Sequence, residues 1–128
     1  MLIFGHPYFK NSKFYHISDI KHIDHTPSNS MLLFNFNEEN LDLIDFATTN
    51  DLPFSLLVQD LKEALFAENF DASYILSHEK CIKAIQTAAD TYLFDAKILC
   101  QIDNDKKIEE LAKSGIDGVI FAEAIIKA

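Results

Sequence analysis

The stretch SYILSHEKCIKAIQTAADTYLFDAKILCQI, Ser73–Ile102, decides the fold. It opens on a short apolar run, continues through Cys81 or Ile82, Ile85, Ala88 or Ala89 and Tyr92 at helical spacing, and closes on a second apolar run. That pattern predicts strand, helix, strand, with Ser77 placed to cap the helix. The same unit recurs about every 20 residues, as expected of βα repeats on a parallel sheet. The other apolar runs are MLLFNF from Met31, FSLLVQ from Phe54 and GVIFAEAI from Gly118. The fold class is therefore α/β, with about five mostly parallel strands alternating with helices. Near-continuous apolar strands fit either an open three-layer sheet or a half-barrel.

Residues 1–30 read differently from the repeats at 31–128. Met1–Phe4 and Lys13–Ser18 are short β-like runs, and Gly5, Pro7 and Asn11-Ser12 between them suggest a hairpin-like arm. The segment DIKHI after Ser18 suits one helical turn, and Thr26-Pro27-Ser28-Asn29-Ser30 reads as a loop. Arm and repeats together make one domain, 1–128, since a chain of this size closes a single core.

Helix starts and stops are written in the usual residue types. Asn37 precedes Glu38 and Glu39, Asp60 precedes Glu63 at capping-box spacing, and Asp103 or Asn104 opens a further helix that Gly115 ends. The inward positions are expected to be Leu41 and Ile44, then Leu61, Ala64 and Leu65, then Ile108, Leu111 and Ala112.

Charge narrows the partners. Twenty acidic residues oppose 11 basic ones for a net charge of -9, and every basic residue is lysine. That balance argues against nucleic acid and against anionic membrane surfaces, which need a positive footprint. No apolar stretch reaches the roughly 20 residues that span a bilayer, so a soluble protein is expected. Two cysteines in an apolar-rich domain favour a reducing, cytoplasmic setting with Cys81 and Cys100 as free thiols.

The segment SGIDGVIFAEAIIK, Ser114–Lys127, resembles the late βα unit of phosphate-binding TIM barrels of the tryptophan synthase α-subunit type. Gly115, Asp117, Gly118, Val119, Ile120, Ala124, Ile125 and Lys127 carry the match. The resemblance implies a βα fold. The family's Gly-Ser after the strand, which lets a phosphate approach backbone, is replaced here by Ala122-Glu123, so the phosphate motif is not retained.

Ligands of parallel sheets bind at the carboxyl ends of the strands. The residues expected there include Asn37, Gln59, Ser77, Gln101 and Asp103 as ligand-binding groups, with His78 as a catalytic acid or base and Glu123 or Asp103 as its partner. A second candidate is a metal site from His16, His22 and His25 beside Asp19 and Asp24. Glycine-rich nucleotide loops and the G-x-S-x-G elbow are missing from the sequence, and no cofactor is named by it. Eleven phenylalanines, among them Phe46, Phe66, Phe70 and Phe94 out of phase with the inward stripes, suggest surplus apolar surface and a homodimer. The leading expectation is thus a non-catalytic binding or assembly module that self-associates. The alternative is a small enzyme or metal-dependent hydrolase acting on a small-molecule ligand at the carboxyl edge.

Overall fold

The computed structural model describes residues 1–10, 13–28 and 30–127. Among the described residues eight strands form one sheet, all neighbours parallel: β1 (Leu2–Phe4), β2 (Phe14–His16), β3 (Met31–Asn35), β4 (Phe54–Leu57), β5 (Tyr74–His78), β6 (Lys97–Gln101), β7 (Gly118–Ile120) and β8 (Ile125–Lys127). Their order is β1-β7-β6-β5-β4-β3-β2-β8. The helices are α1 (Leu41–Thr49), α2 (Leu61–Asn69), α3 (Glu79–Tyr92) and α4 (Ile108–Lys113), with short 3-10 turns between.

Two expectations change here, and the choice between the two sheet shapes is made. The sheet has eight strands rather than about five. The N-terminal segment is no hairpin: β1 pairs in parallel with β7, and β2 pairs in parallel with both β3 and β8. Two antiparallel strands can share a tight turn, but two parallel ones cannot, so β1 and β2 sit on opposite flanks. Asn11 and Ser12 of the expected hairpin punctuation, and Asn29 of the following loop, lie outside the described residues.

Helix placement decides between the open sheet and the half-barrel. The helices cover one face only. Leu43, Ile44 and Ala47 of α1, Ala64 and Ala67 of α2, Ile82, Ile85 and Ala89 of α3 and Leu111 of α4 pack on Leu32, Phe34, Leu56, Ile75, Ile98 and Val119 of the strands. The other face curls around a separate core of Phe4, Phe14, Leu33, Leu76, Leu99, Ile120 and Ala124. Phe4, Phe14 and Tyr74 meet edge to face at centroid distances of 5.2, 5.7 and 5.4 Å, although they come from β1, β2 and β5. Residues 121–124 join β7 on one flank to β8 on the other, and the Phe121 N–H donates to the Phe4 carbonyl at 2.9 Å. The architecture is a curled, half-barrel-type sheet with its concave face filled, and the open three-layer arrangement is excluded.

Alternation along each strand explains the two cores. In β5, Ile75 and Ser77 face the helices while Tyr74 and Leu76 face inward, and in β6, Ile98 and Cys100 face out while Leu99 faces in. Gly118 is required by this curl, because a Cβ there would lie 2.7 Å from Leu99 Cδ2 and 2.8 Å from the Leu2 carbonyl oxygen. No helix among the described residues is long and apolar enough to cross a membrane.

Candidate functional site

The inward positions turn polar one step beyond the concave core. His16 lies two residues past Phe14, His78 two past Leu76, Gln101 two past Leu99 and Lys127 two past Ile125, so the period of the strand puts all four on the concave side at the carboxyl ends. They line a cavity of about 650 Å³ whose floor includes Leu33, Leu57 and Ile120. Parallel pairing aligns His78 with Gln101 and His16 with Lys127. Polar groups from four strands thus surround one opening.

The local chemistry of each group is distinct. His16 Nε2 lies 3.0 Å from Asn35 Oδ1 and donates to it in the tautomer that carries the proton on Nε2, in which Nδ1 is the acceptor. The exposed His78 makes no side-chain hydrogen bond with any described residue. The buried Gln101 Oε1 likewise has no hydrogen-bond partner among them. At the rim, Lys107 Nζ donates to Glu79 Oε1 at 2.7 Å and lies 3.6 Å from Asp103 Oδ1. The Glu79 hydrogen bond, with Asp103 adding to it, holds the ammonium above its ordinary pKa of 10.5. His78 is also the N-cap of α3 and supplies no capping hydrogen bond.

The expected site residues separate into two groups. His78, Gln101 and Asp103 line the cavity. Ser77 faces the opposite way, buried beneath the helices, where its Oγ donates to the Val58 carbonyl at 2.9 Å and contacts Cys81 Sγ at 2.9 Å. It therefore caps no helix. Asn37 caps a 3-10 turn, its Oδ1 accepting from the Asn40 N–H, and borders a separate groove. Gln59 is exposed outside the cavity, with its backbone N–H donated to Glu63 Oε1. Glu123 is exposed outside the cavity lining, and its carbonyl accepts from Lys13 Nζ at 3.1 Å.

The histidine cluster does not assemble. His16 stands on β2, whereas His22 and His25 belong to the 3-10 helix Ile20–His25 that Asp19 caps. Among the described residues no group of three His, Cys, Asp or Glu side chains is placed to hold a metal ion. His16 ends a three-residue strand inside the segment whose sequence suggests an arm. Lys127 is not among the residues expected from the sequence, because GVIFAEAI reads as one run, whereas a 3-10 turn at Ala122–Ala124 separates two strands.

No protein-family model matches the chain, and no curated protein matches it. Among solved structures it is similar to a phosphodiesterase of Oleispira antarctica in complex with its product sn-glycerol-3-phosphate. The TM-score is 0.53 at 19% identity, over 80% of this chain and 42% of the other. This chain thus spans about two-fifths of that structure's length, and the likeness is one of fold.

Proposed function

We propose that this chain binds a small polar molecule in the cavity at the carboxyl ends of its strands, and that His78 exchanges protons with that molecule. One observation carries the reading. Two imidazoles and a carboxamide from three separate strands converge on an open cavity, while the concave face beneath is filled with apolar side chains. Small-molecule sites combine an apolar floor with a few convergent polar groups in this way. His78, with no competing hydrogen bond, is the group free to act as acid or base, and Gln101 beside it would orient the ligand.

A thermal-shift screen of small metabolites against the wild-type chain and Ala122→Trp tests this. Ala122 is an exposed residue on the cavity lining, so a bulky side chain can obstruct the mouth without entering the core. Stabilisation of wild type that Ala122→Trp loses supports the reading. Stabilisation that survives the block contradicts it.

A second reading has its own observation. Leu41, Phe66 and Phe70 are exposed around a groove of about 670 Å³ that also includes Phe36. Such a patch on α1 and α2 favours self-association through that face. Light scattering of wild type against Phe66→Glu tests it, with a dimer converted to monomer as the expected result.

A further inference from the structure

The cavity has a charge balance opposite to that of the chain. Over the whole sequence 20 acidic residues outweigh 11 lysines. The cavity reverses the ratio, with Lys80, Lys107 and Lys127 against Glu79 and Asp103. Both carboxylates are engaged by Lys107. Lys80 and Lys127 form no ion pair among the described residues, so the charge left for a ligand to meet is positive. Lys127 stands beside His16 in the β2–β8 register. The second observation is the buried Gln101 Oε1, an acceptor lacking a donor. A buried carbonyl oxygen without a donor is costly, and a ligand hydroxyl at this position would satisfy it.

Resting on the reading of this cavity as the ligand site, we infer that the ligand is a small hydroxylated anion. Its phosphate or carboxylate lies toward Lys127 and Lys80, and a hydroxyl donates to Gln101 Oε1. Lysine acts here as a point charge, which suits either anion, whereas a fork of arginine would favour a planar bidentate partner.

Titration calorimetry of the full chain tests the assignment with four probes: ribose 5-phosphate, gluconate, ribose and putrescine. The expected result is saturable binding of ribose 5-phosphate or gluconate at least tenfold tighter than ribose, weakened by added salt and lost in Ala122→Trp. Which of the two anions binds distinguishes phosphate from carboxylate. Lys127→Gln should weaken the anion about tenfold while Lys127→Arg retains it, and unchanged affinity in Lys127→Gln overturns the lysine's role. Binding of ribose or putrescine with both anions silent, and lost in Ala122→Trp, overturns the anion assignment while leaving the cavity as the ligand site. Anion binding that survives Ala122→Trp, or silence from all four probes, overturns the assignment and the site together.

Discussion

The ring of Phe4 stands edge-on to that of Phe14 with centroids 5.2 Å apart, although their strands lie six places apart in the order of the sheet. Only a sheet curled onto itself brings them together, and Tyr74 from the middle of the sheet completes the contact with both. This aromatic trio closes the concave side at one level. The polar cavity begins further along the same strands.

Removing the Phe14 ring should therefore be costly. Phe14 is 1% exposed and bridges two flanks, so Phe14→Ala is expected to lower stability by about 3–5 kcal/mol, the usual range for deleting a buried aromatic ring. Denaturant unfolding monitored by circular dichroism measures it. A loss below about 1 kcal/mol would mean the flanks are not held together by these rings.

Leu93 ends α3 in the left-handed region, with φ +55° and ψ +55°, and its side chain is 83% exposed. A branched residue pays a steric cost there that glycine does not. Leu93→Gly should raise stability by roughly 0.5–1 kcal/mol, read as a higher thermal midpoint.

The two thiols should differ in reactivity. Burial, reinforced by the nearby Glu79 carboxylate and Cys81, pushes the Cys100 thiol up to about 12, whereas Cys81 is only partly buried. An aromatic disulfide reagent at pH 8 should label Cys81 in the native chain and Cys100 only after unfolding.

The same shift sets an alkaline limit. The unfolded Cys100 thiol ionises from about pH 9, while the folded one keeps its proton to about 12. The folded state then binds the extra proton across that window, so stability falls as pH rises from 9 to 12 and is unaffected by this group below it. Lys107, also shifted upward, acts in the same direction above its ordinary 10.5. Cys100→Ala should flatten the decline between pH 9 and 12, measured as urea midpoints.

How far the sequence foretells this molecule depends on the length of each element. The strands at Met31, Phe54, Tyr74, Lys97 and Gly118 are legible because each apolar run is bounded by a helical pattern. Two end signals also hold, Asp60 Oδ1 accepting from the Glu63 N–H at 2.8 Å and Gly115 adopting φ +75°, whereas Ser77 does not cap α3. The three-residue strands β1, β2 and β8 are too short to show a period, and only tertiary pairing defines them. Inward stripes were shifted where helices begin. Leu41 and Leu61 face solvent while Leu43 and Ala67 are buried, and Tyr92 is exposed where Gln86 is buried to bind the Asp117 N–H. His78, Gln101 and Asp103 were readable because they follow long strands. His16 and Lys127 were not, because their strands are the short ones that complete the curl.

Residue-resolved NMR of the labelled chain, titrated with a library of small metabolites, locates the ligand site. The first binding compounds are expected to shift the signals of His16, Leu57, His78, Gln101 and Lys127 together. Shifts confined to Phe36, Phe66 and Phe70, with the carboxyl-end residues unmoved by any compound, would contradict a ligand site in the cavity.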